Sequence, residues 1–401
     1  GMNKKLLAVL MSSAFLLTAC GGDDDSSVFD DGIPKNNIVN PVVATPTAYT
    51  LTDMSASAAD SVVMTYKMLG VNGKEVQATS LVFTPKTPVP KDGWPIVIWA
   101  HGTTGVADIC APSSLALGSD VKNMISKFLA EGYVVVAPDY EGLGSAGDHP
   151  FLNVKSEAYS ITDAVVAARN WLGTKASKQW VTVGHSQGGQ AALGAAQYAS
   201  RAQLNYKGTV AVAPASNLKT IFKTGEDLVA NLPAIDQVPM LASLNTYAAL
   251  ITAGMQDQSS APTYIQVFQP NAAVIATQAG TVCAGALGQN FGVQMTVAAT
   301  ATSSLSGYLT QSNFMKIPAI TTFLNTTSQP LSVKVTTPVK IYQGGYDSTV
   351  PANATAELIS NAAKLGTKII PVYEEKWDHN TAYTLNIDNI VVDVKSLMPI
   401  Q

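Results

Sequence analysis

The stretch Trp180-Val-Thr-Val-Gly-His-Ser-Gln-Gly-Gly-Gln190 decides which fold this sequence predicts. An apolar, β-branched run leads into a glycine-rich turn, and the alanine-rich segment 190–199 that follows is typical of a helix. The turn carries the pattern Gly-x-Ser-x-Gly, in which a side chain at Gly184 or Gly188 would collide with the neighbouring strand or helix. Ser186 then stands on a tight corner at a helix N-terminus, where backbone N–H groups favour developing negative charge. This context predicts that Ser186 is a nucleophile, although three fixed positions in a glycine-rich chain also arise by chance.

The composition is that of a folded protein with a substantial apolar core. Of the 401 residues, 47% are hydrophobic and 13% are charged, and the net charge is −4. A chain of this length is expected to form one or two domains. Because no basic stripe is present, no nucleic-acid partner is expected.

The N-terminus has the pattern of an export signal. Two lysines precede an apolar run over residues 6–17, which is too short for a stable transmembrane helix. The run ends in Leu17-Thr-Ala-Cys20, which resembles a bacterial lipobox and implies cleavage before Cys20 and acylation of that cysteine. We therefore expect a lipoprotein signal peptide at 1–19 and a flexible polar tether at 20–45. The protein would be exported and anchored to a membrane, facing the periplasm or the cell surface. Secretion without an anchor is the alternative.

Two further cysteines, Cys110 and Cys283, remain after Cys20. In an oxidising compartment two leftover thiols most simply pair, so a disulfide between them is expected. Two unpaired buried thiols are the alternative. No motif suggests a metal.

Buried-strand patterns alternate with helical patterns along most of the chain. The apolar runs 95–100 and 133–138 are typical of strands buried on both faces of a parallel sheet. The alternation predicts an α/β fold over residues 46–401, with an open, mostly parallel sheet of eight strands and helices on both faces. Residues 219–335 break the rhythm with several helical patterns and a strand-like run at 263–268. They are expected to form a cap, or lid, inserted over one end of the sheet.

A serine hydroxyl needs a base, and the chain contains only four histidines. His379 follows the last predicted strand at the carboxyl end of the sheet, where Ser186 follows the fifth, so it is the predicted base. The other three are assigned to packing or loop roles. They are His185 inside the elbow turn, His101 at the end of the third strand, and His149 in the loop after the fourth.

The base in turn needs a carboxylate that fixes its tautomer. Asp347 lies in the loop after the seventh predicted strand and gives the chain order Ser, Asp, His, so it is the predicted acid. Asp378 is the alternative beside His379, but adjacent residues rarely orient so that one holds the other's ring. Asp139 is expected to be a turn residue.

The tetrahedral intermediate of acyl transfer needs two hydrogen-bond donors. The backbone N–H of Gln187, directly after the nucleophile, is the first. The second is predicted from Thr103 in the loop after the third strand, with its hydroxyl or Thr104 as candidates for a third donor. The alternative for residues 101–105 is a tight glycine turn without a catalytic role.

Several stretches together resemble the secretory lipase family of α/β-hydrolases, which is found in fungi and bacteria. They are Trp99-Ala-His-Gly-Thr-Thr-Gly105, Cys110-Ala-Pro-Ser113, Ala137-Pro-Asp-Tyr140, Gly142-Leu-Gly144, His149-Pro150 and Gly184-His-Ser-Gln-Gly-Gly189. The loops that carry Asp347 and His379 match the family only in residue type and placement. Residues 219–335 correspond to the family's lid region but contain no motif that can be aligned. The resemblance implies an α/β-hydrolase fold and hydrolysis of carboxylic esters, with Ser186, Asp347 and His379 as catalytic triad and no metal or organic cofactor. It also favours a disulfide that ties Cys110 to the lid.

The expected function is a lipase or esterase acting on triacylglycerols or shorter acyl esters through an acyl-enzyme. A peptidase or amidase on the same fold is the nearest alternative, but no charged cluster that would hold a peptide terminus is legible. A catalytically silent protein that binds lipid or a partner is the alternative from another class. It is disfavoured because nucleophile, acid and base all occur in the expected order.

Overall fold

In a computed structural model, which describes residues 31–401, nine strands form one sheet. In chain order they are β1 (Thr47–Ala48), β2 (Ala58–Leu69), β3 (Glu75–Pro85), β4 (Trp94–Ala100), β5 (Val134–Pro138), β6 (Ala176–His185), β7 (Asn205–Val212), β8 (Val339–Gly344) and β9 (Ile369–Glu374). Their order across the sheet is β1-β2-β3-β5-β4-β6-β7-β8-β9. The first three pairings are antiparallel and the other five parallel. The sheet is therefore mostly parallel, as predicted. The strand beyond the predicted eight is β1, which at two residues is too short to leave a periodic pattern.

Helices connect the parallel strands and build the cap. Within the described residues the α-helices are α1 (Ser119–Glu131), α2 (Val154–Leu172), α3 (Gln187–Tyr198), α4 (Leu218–Val229), α5 (Ala234–Gly254), α6 (Tyr264–Val267), α7 (Pro270–Ala276), α8 (Ala284–Thr302), α9 (Pro318–Thr322), α10 (Ala352–Lys364), α11 (Thr381–Thr384) and α12 (Ile387–Leu397). Within residues 31–401, none of the helices has the length and apolar character needed to cross a membrane.

Two apolar cores lie on opposite faces of the sheet. On β4, Val97 and Trp99 belong to one core, and Ile96 and Ile98 belong to the other. Helices α1 and α12 complete the first core, and α2 and α3 complete the second. All residues of β4 are buried. The continuous apolar run at 95–100 is thus explained by a central parallel strand that is covered on both faces.

Between β7 and β8 the chain forms a helical cap, whose apolar core also includes Phe151, Leu152 and Val350 from outside this segment. Three fully buried residues of this core are Leu250 of α5, Phe268 directly after α6, and Phe291 of α8. Helix α5 is apolar around most of its circumference, which is typical of a helix enclosed by others. The cap therefore folds as a packed layer rather than as a loose loop.

The prediction of a strand at 263–268 is wrong. Residues Tyr264–Val267 form the one-turn helix α6, and Phe268 contributes only an isolated bridge to Thr310. The Thr263 hydroxyl accepts from the N–H of Gln266, whose side chain accepts from the N–H of Thr263. This reciprocal capping box starts a helix despite the β-branched composition.

The features predicted for the N-terminus lie partly outside the described residues. The expected signal peptide, Cys20 and the first part of the tether lie in residues 1–30, which the structure does not describe. Residues 37–401 form one compact unit. Within that unit Val42 forms an antiparallel bridge to Tyr66 of β2. Backbone pairing thus begins before the expected boundary at residue 46.

A disulfide joins the cap to the loop that follows β4. Cys110 and Cys283 are bonded across 173 residues of chain, as expected from the cysteine count. Cys283 is the residue that precedes α8, and the N–H of Ala284 donates to the carbonyl of Thr104 at 2.9 Å. The start of α8 is therefore attached to the loop that carries Thr103.

Removing this disulfide is expected to lower the free energy of unfolding by about 2–5 kcal/mol, because the crosslink restricts a long loop in the unfolded chain. The measurement is denaturant unfolding of the protein with both Cys110→Ser and Cys283→Ser. Wild type unfolded in the presence of a reductant is the matched control and should show a similar loss. An unfolding midpoint equal to that of the oxidised wild type would contradict this expectation.

Candidate active site

Ser186 occupies the sharp turn between β6 and α3. Its φ is +60° and its ψ is −117°, a conformation that side-chain-bearing residues rarely adopt. A Cβ on Gly184 would lie 1.9 Å from the carbonyl oxygen of Gly188, and one on Gly188 would lie 1.8 Å from that of Ala100. Both glycines are therefore required by close backbone contacts, which is the reason that the sequence pattern suggested.

Asp347 and His379 meet at the carboxyl end of β8 and β9. The Nδ1 of His379 lies 2.7 Å from Oδ2 of Asp347. The other carboxylate oxygen accepts from the N–H groups of Thr349 and Val350, at 2.8 Å each. Because the carboxylate accepts, Nδ1 carries the proton and Nε2 is free to take another. The buried carboxylate is thus held by three hydrogen bonds, one of which orients the imidazole.

His185 supports the loop that carries His379. Its Nε2–H donates to the carbonyl oxygen of His379 at 2.8 Å, and its ring lies 4.9 Å from the His379 ring, centroid to centroid. The His185 ring also stacks on Tyr383 of α11, with centroids 5.2 Å apart. Burial, with the His379 ring as a smaller cause, lowers the pKa of His185 to about 4. A neutral His185 adds no positive charge beside His379.

Ser186, Thr103 and Gln187 line one cavity of about 30 Å³. Thr349 and Val350, whose amides hold Asp347, line the same cavity. Most of the remaining wall is apolar and comes from the cap and the loop before α2, namely Leu152, Ala215, Leu218, Ile221, Phe222, Leu244, Tyr247 and Ile251.

The five predicted residues are not all in direct contact. Asp347 and His379 are hydrogen-bonded, and Ser186, Thr103 and Gln187 share the cavity. No hydrogen bond joins the hydroxyl of Ser186 to His379 among the residues that the structure describes. Such bonds are often long before substrate binds. The structure brings the acid and base together and gathers Thr103 and Gln187 beside Ser186.

The alternative acids have other partners. Asp378 accepts from the N–H groups of Asn380 and Thr381, and the Thr381 backbone bond is the largest cause of a lowered pKa. Asp139 accepts from the hydroxyl of Thr79 at 2.6 Å and the N–H of Ser113 at 2.9 Å. Burial raises the pKa of Asp139 to about 6. Asp378 therefore organises its own loop, whereas Asp139 joins the end of β5 to β3 and to the segment at Ser113.

Glu157 is a buried carboxyl group near the site that the sequence analysis did not single out. It lies on α2, is fully buried, and neither of its carboxyl oxygens has a hydrogen-bond partner within residues 31–401. Burial raises the pKa of Glu157 well above its usual range, and the Gln187 side chain opposes this to a smaller extent. A signal was present, since Val154, Glu157 and Ile161 share the spacing of one helix face.

We expect Glu157→Gln to stabilise the protein, and to do so more at about pH 8 than at about pH 5. The pKa of Glu157 is raised in the folded state, so protonation of this side chain favours the folded protein. This contribution to the free energy of unfolding is complete below pH 4.5, the ordinary pKa of the group, and is lost as the pH rises above 4.5. Glutamine keeps the shape and cannot ionise. Thermal unfolding of both proteins measures the difference in Tm. A difference that does not grow with pH would contradict this expectation.

Among the described residues, no group of three or more histidine, cysteine, aspartate or glutamate side chains could hold a metal ion. The polar residues that line the cavity include Ser186, Thr103 and Gln187, and the His379–Asp347 pair lies at the same edge of the sheet. A hydroxyl and a histidine–carboxylate pair are groups suited to proton transfer.

Comparisons with known proteins identify the family and the fold. The model of the secretory lipase family matches residues 113–386. Among solved structures, the chain is similar to lipase A of Candida antarctica in its closed state, at 18% identity over 89% of this chain and 82% of that one, with a TM-score of 0.65. It is also similar to a ligand-bound form of LipA from Xanthomonas oryzae, a rice cell wall degrading esterase, at 20% identity over 89% and 97%, with a TM-score of 0.63. No curated protein sequence matches the chain. The fold is that of the α/β-hydrolases, as predicted.

Proposed function

Since this chain belongs to the secretory lipase family and is thus a carboxylic ester hydrolase, we propose that it cleaves esters through an acyl-enzyme on Ser186. The observation that carries the proposal is the 2.7 Å hydrogen bond between His379 and Asp347, at the same edge of the sheet as the Ser186 turn. A nucleophile on a strained turn and an imidazole oriented by a buried carboxylate are the parts that acyl transfer requires.

In the proposed mechanism, Nε2 of His379 takes the proton of the Ser186 hydroxyl while the oxygen attacks the ester carbonyl carbon. The N–H groups of Gln187 and Thr103 stabilise the oxyanion of the tetrahedral intermediate. His379 then gives its proton to the departing alcohol, and the acyl group remains on Ser186. A water molecule, deprotonated by His379, attacks the acyl-enzyme, releases the acid and restores the serine.

The acyl group of the substrate would lie against the cap. The apolar side chains of α4 and α5 beside Ser186 favour a hydrocarbon chain over a charged group. Triacylglycerols and shorter acyl esters both remain within the proposed substrate class.

Membership in the secretory lipase family suggests export. We further propose that Cys20 carries the lipid anchor, because Leu17-Thr-Ala-Cys20 has the lipobox pattern. Cys20→Ser should move the protein from the membrane fraction to the soluble fraction of cells that express the complete chain. Retention on the membrane in that variant would contradict the anchor.

A substrate series tests the proposed reaction. Aryl esters with acyl chains of increasing length, and an aminoacyl arylamide as the matched amide, are incubated with wild type and with Ser186→Ala. A fluorophosphonate probe is applied to both proteins. Ester hydrolysis and probe labelling by wild type alone support the proposal. Faster cleavage of the amide would favour a peptidase, and absence of labelling would favour a catalytically silent binding protein.

A further inference from the structure

The loop between β5 and α2, residues 139–153, contacts both segments that carry the proposed oxyanion donors. On the side of Thr103, the hydroxyl of Tyr140 donates to the carbonyl oxygen of His101 at 2.7 Å. The rings of Tyr140 and His101 are stacked with centroids 4.3 Å apart. The start of the Thr103 loop is thus attached to the loop at 139–153.

The same loop reaches the other donor through His149. Its Nδ1 lies 2.8 Å from the carbonyl oxygen of Glu141, which can only accept, so Nδ1 carries the proton. Nε2 is then an acceptor, and the side-chain amide of Gln187 donates to it across 3.1 Å. Burial lowers the pKa of His149 to about 4, and the neutral ring that this favours retains that acceptor. The hydrogen-bond pattern therefore fixes both the tautomer of His149 and the orientation of the Gln187 amide.

The hydrogen bond between His149 and the Gln187 side chain can fix the position of the Gln187 backbone. Both side chains are buried, with only 1% of each residue exposed, so water does not compete for the hydrogen bond. Gln187 is the first residue of α3, and its backbone N–H and its side chain leave the same Cα. An oxyanion donor is effective only when it is held close to its required position.

We propose that His149 is a positioning residue, which holds the Gln187 side chain so that the backbone N–H of Gln187 points at the tetrahedral intermediate. The inference rests on the proposed serine mechanism. Because the Gln187 N–H binds a charge that develops in the transition state, its misplacement lowers kcat and leaves KM nearly unchanged.

Two substitutions at 149 separate the two ring nitrogens. His149→Asn keeps a donor near the position of Nδ1 and removes the acceptor for Gln187. His149→Gln places an acceptor near the position of Nε2 and gives up the Nδ1 donor. We expect His149→Asn to lower kcat about 10- to 100-fold with KM within about twofold, and His149→Gln to recover most of kcat. A merely structural role would predict similar losses in both variants, or a larger loss in His149→Gln.

Gln187→Met removes the same hydrogen bond from the other partner, together with the contact of the Gln187 side chain with Glu157, and leaves the backbone N–H in place. If one interaction underlies both effects, the double variant with His149→Asn loses no more kcat than the more affected single variant. Gln187→Met also tests the inference if His149→Asn fails to fold, as judged by its thermal unfolding.

The outcomes distinguish this inference from the proposed function. Loss of activity in Ser186→Ala, with unchanged kcat in His149→Asn and Gln187→Met, would overturn the positioning role alone. The positioning role would also be overturned if the losses of kcat in the two single variants multiplied in the double variant, or if only KM changed. Full ester hydrolysis by Ser186→Ala would instead overturn the serine mechanism.

Discussion

Ser186→Ala is expected to lower kcat for ester hydrolysis by about five to six orders of magnitude, the loss typical of removing a serine nucleophile. The reason is chemical, because alanine has no atom that can form the acyl-enzyme, while the cavity wall and proposed amide donors stay in place. Steady-state hydrolysis of a short-chain aryl ester measures the effect, with the fluorophosphonate probe as an independent readout of the nucleophile.

The fold of this variant should remain intact. Ser186 is nearly buried, and its backbone bonds to Val212 and Ala215 do not involve the hydroxyl. Thermal unfolding should therefore occur within a few degrees of wild type. A folded Ser186→Ala protein that keeps more than about one per cent of the wild-type kcat would contradict the role of Ser186.

Asp347→Asn is expected to lower kcat by about four orders of magnitude. The structure dictates how the asparagine would lie. The N–H groups of Thr349 and Val350 require an acceptor, so the amide oxygen would face them and the NH₂ group would face His379. Nδ1 of His379 must then accept, which places the imidazole proton on Nε2. In that tautomer Nε2 cannot take the proton of Ser186.

Asp378→Asn is the matched control, because it changes the same chemical group one residue from His379. Asp378 is exposed and accepts only within its own turn, from hydrogen bonds that an asparagine oxygen can also receive. We expect its kcat to stay within about threefold of wild type. A larger loss in Asp378→Asn than in Asp347→Asn would reverse the assignment of the acid. The kcat of both variants, measured with the same ester, decides between them.

The sequence predicted the sheet and the turn at Ser186 because both depend on local patterns. An apolar run of strand length must be buried on both faces, as residues 95–100 are in β4. Gly184 and Gly188 are recognisable because backbone atoms lie within 2 Å of where their side chains would be. The run at 263–268 misled because its β-branched residues suggest a strand, whereas the bonds between Thr263 and Gln266 start a helix.

The sequence by itself determined the fold class and the tight turn at Ser186, and it predicted a disulfide between Cys110 and Cys283 with unpaired thiols as the alternative. Only the tertiary structure decided that Asp347, and not Asp378, faces His379. It alone also placed the buried Glu157 beside Gln187 and His149 in hydrogen-bond contact with that residue. The physical reason is that a turn or a strand follows from neighbouring residues. A hydrogen bond between loops follows from how strands far apart in the chain are ordered in the sheet.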